Sequence, residues 1–142
     1  CLFHGFGTAK NKMKATSILE QLANEGHSDS QFWIGSCYYW ARGKSVDRRM
    51  AFEWYSKSAS QGNSNGQWMV GWCHYYGHGV TEDYTKAVEW YRKSAEQGNR
   101  YGQDYLGLCY QVDAGVPEDA NTAVFWYRKS TEQGFRYASF NL

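Results

Sequence analysis

The sequence repeats itself every 36 residues without insertion, and this period constrains the fold more than any other feature. Residues 51–86 read AFEWYSKSASQGNSNGQWMVGWCHYYGHGVTEDYTK, and residues 87–122 read AVEWYRKSAEQGNRYGQDYLGLCYQVDAGVPEDANT. A looser copy fills 15–50 and a shortened one opens at Ala123. Ala15, Ala51, Ala87 and Ala123 hold register, as do Gly26, Gly62, Gly98 and Gly134. The series Gly35, Gly71, Gly107 and the series Gly7, Gly43, Gly79, Gly115 do the same. A unit of this length cannot bury a core alone, so successive units must stack into a solenoid.

Each unit carries two helix patterns. Between Met13 and Glu25 the apolar residues Ala15, Ile18, Leu19, Leu22 and Ala23 recur at steps of three and four, the spacing of one helix face. In later copies Ala51, Trp54, Tyr55, Ser58 and Ala59 form this face, and then Ala87, Trp90, Tyr91, Ser94 and Ala95. We call this the WY helix. Glu53 with Lys57, and Glu89 with Lys93, occupy its solvated side in the favourable i,i+4 order. The glycine after it is placed to stop the helix. A second pattern, the LG helix, is expected over Ser30–Trp40, Gly66–Tyr76 and Gly102–Val112. Gly35, Gly71 and Gly107 lie in its middle, where glycine costs about 1 kcal/mol relative to alanine. Their recurrence predicts close approach of a bulky WY-helix ring. The LG helix ends at Gly77-His78-Gly79-Val80 or its equivalents, Ala41-Arg42-Gly43-Lys44 and Asp113-Ala114-Gly115-Val116. Asp47, Asp83 and Asp119 follow as N-caps of the next helix. Strand alternation is absent from the pattern.

Bulk composition excludes some partners. The net charge of +1 gives no general attraction to nucleic acid or anionic membrane. No apolar run approaches the roughly 20 residues of a membrane-spanning helix. The chain starts with Cys1, in register with Cys37, Cys73 and Cys109, which reads as a start inside a truncated unit. Read as a piece of a longer array, the sequence leaves room for a targeting signal or fused domain beyond its ends.

Catalytic and metal chemistry find no footing. Cysteines one period apart sit on stacked helices about 8–10 Å apart, beyond the ~7 Å that a disulfide bridges. Cys37, Cys73 and Cys109 are therefore expected as reduced core residues, which leans toward a reducing, cytoplasmic setting. His74 and His78 are spaced for a two-ligand metal edge, but His78 lies beyond the Gly77 stop and no acidic third ligand adjoins. His74 takes a position that is Tyr38 and Tyr110 elsewhere, which argues for packing. Ser58, Ser94 and Ser130 recur in every unit, as architecture does and an active site need not. No phosphate-loop or dinucleotide motif is present. No catalytic residue, metal or cofactor is expected.

The motifs A-x-x-W-Y-x-K-S-A-x-Q-G-N, G-Q-x-x-L-G-x-C-Y and G-V-x-x-D closely resemble the Sel-1-like repeat family, relatives of tetratricopeptide repeats. The resemblance covers almost the whole chain and is strongest over 51–134. In the family's frame it implies one domain over 1–142: a partial unit 1–26, complete units at about 29–62, 65–98 and 101–134, and a partial unit 137–142. It implies an all-α, right-handed α/α superhelix, with LG helices on the concave side and WY helices on the convex side. Known members are adaptors and scaffolds in membrane-protein quality control, chitin-synthase activation, bacterial host interaction, exopolysaccharide production and kinase-linked arrays. A disulfide-rich branch carries two cysteines per unit; this chain has one, so that branch's properties are not expected here.

Positions that vary between units point to a working surface. The LG face away from the WY partner is expected to present Phe32, Tyr39 and Trp40, then Trp68, Trp72, Tyr75 and Tyr76, then Tyr101, Asp104 and Gln111. Aromatic residues anchor interfaces and grooves. The residues support three uses for the stripe: a groove for a peptide or helix of another protein, rings packed against the next unit, or carbohydrate stacking on Trp68 and Trp72. The expected function is a non-catalytic adaptor gripping a partner segment on the concave face. The alternative is a spacer in a longer array attached to a kinase or other enzyme. Apolar residues at Cys1-Leu2-Phe3 and Phe140-Asn141-Leu142 add the expectation of end-to-end self-association.

Overall fold

Amphipathic spacing, capping residues and glycine stops place the helices largely where the pattern puts them. The computed structural model describes residues 9–41 and 46–140, with side chains over 14–41 and 46–134. The described residues form seven helices and no strand: α1 (Ala9–Asn24), α2 (Ser28–Trp40), α3 (Arg48–Ser60), α4 (Ser64–Tyr76), α5 (Tyr84–Glu96), α6 (Arg100–Gln111) and α7 (Ala120–Phe140). WY helices α1, α3, α5 and α7 alternate with LG helices α2, α4 and α6, and each packs chiefly on its chain neighbours. The fold is an all-α repeat superhelix. The readings placed on residues 1–8, on the Arg42-Gly43-Lys44 turn and on the two terminal apolar clusters fall outside the described side chains.

The caps explain the boundaries. Asp47, Asp83 and Asp119 accept hydrogen bonds from the backbone N–H of Met50, Lys86 and Thr122 at 3.0–3.1 Å, satisfying donors that a helix start leaves open. Asn63 and Asn99 cap α4 and α6 in the same way. Gly26, Gly62 and Gly98 take left-handed φ values of +87° to +95° and end their helices. Gly134 does not: α7 continues through it to Phe140, against the expected stop. After Gly62 and Gly98 an asparagine begins a new helix, whereas Phe135 offers no capping oxygen.

The core lies between the two helix rows. Tyr55 and Tyr91 are fully buried beneath Gly35 and Gly71. A Cβ on Gly35 would sit 3.0 Å from the Tyr55 ring, one on Gly71 2.7 Å from Tyr91, and one on Gly107 3.0 Å from Tyr127. The mid-helix glycines thus make room for a ring from the following WY helix. Ala51, Trp54, Tyr55, Ser58 and Ala59 are all buried, and Glu53 and Lys57 are exposed. Lys57 and Lys93 reach over the rings of Trp54 and Trp90 at 4.3 and 4.4 Å, covering apolar surface with their stems. Glu53 meets Arg49 at 3.9 Å.

A glutamine ladder, not foreseen from the repeat, ties the units together. The side-chain amides of Gln61, Gln97 and Gln133 donate to the carbonyl oxygens of Gln31, Gln67 and Gln103, each at 2.7 Å. Gln97 and Gln133 also donate to the backbone carbonyls of Gly62 and Gly98 in the preceding unit. The signal was present as glutamines held in register beside the glycines. Helical periodicity treats them as merely polar.

Candidate functional site

The three LG helices bring their variable positions side by side. Backbones of α2 and α4, and of α4 and α6, come into mutual contact, while successive WY helices among the described residues stand farther apart.

The ten stripe residues divide by burial. Phe32 and Tyr39 are only 9% and 7% exposed and belong to the core with Tyr55 and Met69. Trp68, Trp72, Tyr75 and Asp104 are half-buried. Trp40, Tyr76 and Tyr101 are 56%, 42% and 49% exposed, and Gln111 is exposed too. Phe32 and Tyr39 thus support the surface from beneath.

The rings form a connected ladder across the units. Tyr101 stacks on Trp68 with centroids 4.5 Å apart. Trp68 meets Trp72 edge-on at 6.4 Å, Trp72 meets Tyr76 at 4.6 Å, and Tyr76 stacks on His78 at 5.6 Å. Tyr105 lies edge-on to Trp72 and stacks over the buried Tyr91. Tyr105 and His78 were not among the expected stripe residues. Tyr105 falls one step off the three-and-four spacing, and His78 lies beyond the helix end.

Hydrogen bonds fix the middle of the ladder. The Trp72 indole N–H donates to the Tyr39 hydroxyl at 2.8 Å. The Tyr39 hydroxyl also shares a 2.7 Å hydrogen bond with His78 Nδ1, which a neutral imidazole can accept from the O–H. Burial and the nearby Arg48 guanidinium both lower the His78 pKa. Burial, reinforced by Lys86, lowers that of His74, whose ring packs edge-on against Phe52 at 5.5 Å. The two histidines therefore have separate partners. No group of three metal-ligating side chains occurs among the described residues.

Cys37, Cys73 and Cys109 are buried, and burial pushes the thiols of Cys73 and Cys109 up to about 12, far from nucleophilic. No described helix is long and apolar enough to cross a membrane.

The buried tyrosine hydroxyls differ from unit to unit in their partners. Tyr55 shares a 2.9 Å hydrogen bond with Ser36, and the Tyr127 hydroxyl donates to Gln111 at 2.6 Å. The position of Ser36 is Trp72 and Leu108 in the next two units and that of Gln111 is Tyr75 in the middle one, where the buried Tyr91 hydroxyl has no partner. The Trp68 indole N–H is also buried without one. Each such group costs about 1–3 kcal/mol.

Alternating helices stacked at a fixed period define an α-solenoid. The Sel1 repeat model matches residues 1–27, 28–63, 64–99 and 100–135, and the chain belongs to the Sel1 repeat family. Sel1 repeat proteins are in general protein-interaction scaffolds. No curated protein matches the chain. Among solved structures it is similar to c5321, a protective antigen of uropathogenic Escherichia coli with an SLR fold, at 35% identity over 86% of this chain and a TM-score of 0.81. A Sel1 repeat protein from Oxalobacter formigenes shares 29% identity over 93% of this chain, with a TM-score of 0.85. The chain spans 26% of the first protein and 53% of the second. Helicobacter pylori cysteine rich protein B shares the fold, at 22% identity and a TM-score of 0.68, over 97% of this chain and 100% of its own.

Proposed function

We propose that the chain is a non-catalytic scaffold that grips a segment of a partner protein on its LG face. The observation that carries this reading is Trp72. The position reads Ser36, Trp72 and Leu108 in successive units, so stacking does not demand an indole there, and beside it the buried Tyr91 hydroxyl stands unpaired. Local rules are broken in this way where a surface is kept for function. The indole joins a ring ladder whose exposed faces are Trp40, Tyr76 and Tyr101. The closer approach of the LG helices supports their placement on the concave side, since the inner row of a curved array is the more crowded.

The test is capture from a lysate by the parent chain and by a Trp40→Ser/Tyr76→Ser/Tyr101→Ser variant, with circular dichroism on both. A Phe125→Ser variant on the WY row is the control. A protein retained by the parent and the control, and lost by an equally helical triple variant, supports the reading. Equal retention by all three rules out the LG face as the working surface.

A further inference from the structure

Trp40, Tyr76 and Val112 are equivalent residues at the ends of α2, α4 and α6, one period apart, and they are 56%, 42% and 50% exposed. They make a row with one apolar side chain per unit. Its members are held in place: Trp40 lies edge-on to Tyr39 at 4.6 Å, and Tyr76 is packed between Trp72 and His78. Packed helices are about 8–10 Å apart, which sets the spacing of the row.

Charge changes sign along the row. The Arg48 guanidinium lies 5.6 Å from the centre of the Tyr39 ring, which meets Trp40 edge-on, and it also acts on His78. Glu82 folds back with its backbone near Gly77, next to Tyr76, and its carboxylate bonds the Tyr84 hydroxyl. Asp113 directly follows Val112, and its carboxylate accepts the Glu118 N–H at 3.1 Å, so two exposed acids stand together at that end. Asp119 spends both oxygens on Thr122 and is not counted.

We propose that the occupant of the LG face is an extended, polyproline-II-like peptide segment with an apolar residue at every third position, acidic at the Trp40 end and basic at the Val112 end. This deepens the scaffold reading and rests on it. Polyproline II has three residues per turn at about 3.1 Å each, so every third side chain points the same way after about 9 Å, matching the unit spacing. A β-strand presents one face every second residue, at about 6.7 Å, and falls out of step. An α-helix about 10–12 Å across is wide for a row of single side chains. Aromatic-lined grooves suit this backbone because little ordering entropy is lost on binding. The charges at the two ends select its polarity.

The test is selection from a dodecapeptide display library on the parent chain, repeated on a Trp40→Ser/Tyr76→Ser variant. Expected enrichment is apolar residues or proline at every third position, acids at one end and bases at the other, and its loss on the variant. Selected peptides, measured by fluorescence anisotropy, should bind an Asp113→Asn/Glu118→Gln variant about three- to tenfold more weakly. The same peptides with their basic residues replaced by alanine should not distinguish the two proteins. Asparagine at position 113 keeps an oxygen for the Glu118 N–H and tolerates the left-handed backbone. Enrichment of helically spaced motifs, or of motifs without charge polarity, that is still lost on the Trp40/Tyr76 variant overturns this inference and leaves the scaffold reading standing. No enrichment, or enrichment indifferent to that variant, overturns both.

Discussion

At the scale of single residues, the glycine inside each LG helix sets two effects against each other. Alanine at Gly71 gains about 1 kcal/mol of helix propensity. Its Cβ would stand 2.7 Å from the Tyr91 ring, which is fully buried and cannot step aside. The clash should win, with a net loss of about 1–3 kcal/mol for Gly71→Ala. Gly35→Ala and Gly107→Ala, at 3.0 Å, should cost less, and urea unfolding of the three variants checks the order. The opposite case is Ala41. It holds a left-handed φ of +56° where the equivalent Gly77 holds +67°. That conformation costs a non-glycine residue about 1–2 kcal/mol, partly offset by glycine's greater freedom in the unfolded chain. Ala41→Gly should raise stability by about 0.5–1 kcal/mol, and an unchanged urea midpoint would refute the strain. The close approach at the glycines was legible in the sequence, because a costly residue recurred at one helical position. The inward turn of Phe32 and Tyr39 was not. A three-and-four stripe identifies a face but not which of its rings the next unit covers.

At the scale of elements, boundaries follow capping oxygens more than glycines. Asn63 and Asn99 each accept two backbone N–H groups of the following helix. Each also ties that helix to the preceding LG helix, Asn63 through Ser28 and Asp29, Asn99 through Ser64 and Asn65. His27 stands at the same register before α2 and makes no side-chain cap. His27→Asn should therefore stabilise the chain by about 1 kcal/mol, and Asn99→Ala should destabilise it by at least as much. Thermal unfolding of both variants tests the pair; an asparagine at position 27 with no effect would show that α2 does not need the cap. The same comparison accounts for α7. The glycine series alone predicted a stop at Gly134, but a stop needs a start for the next helix, and Phe135 cannot supply one. Helix existence was readable from periodicity. This boundary was not, because it depended on one residue outside the periodic pattern.

At the scale of the molecule, a solenoid's stability is close to a sum of unit terms and nearest-neighbour seams. The period alone made that architecture legible. It could not show what fills each seam, since the Tyr39–His78 bond joins residues 39 apart that no local pattern relates. The seam between α2/α3 and α4 contains both titratable rings: His74 against Phe52, and His78 hydrogen-bonded to Tyr39. Burial lowers both pKa values, with Lys86 adding to the effect at His74 and Arg48 at His78. In the unfolded chain both titrate near 6.5. Above that pH the imidazoles are neutral in both states, and the seam is fully formed. As pH falls below about 6.5 the unfolded chain binds protons first, so stability declines until the lower folded values are passed. A proton on His78 would also place positive charge beside Arg48. The urea midpoint should therefore be lower at pH 5.5 than at pH 7.5, a window that stays above the carboxylate range. The transition should also broaden, because weakening one seam uncouples the units on either side of it. A His74→Gln/His78→Gln variant should lose the pH dependence. A midpoint that is level between the two pH values in the parent, or a slope that survives in the double variant, would remove these histidines from the seam's energetics.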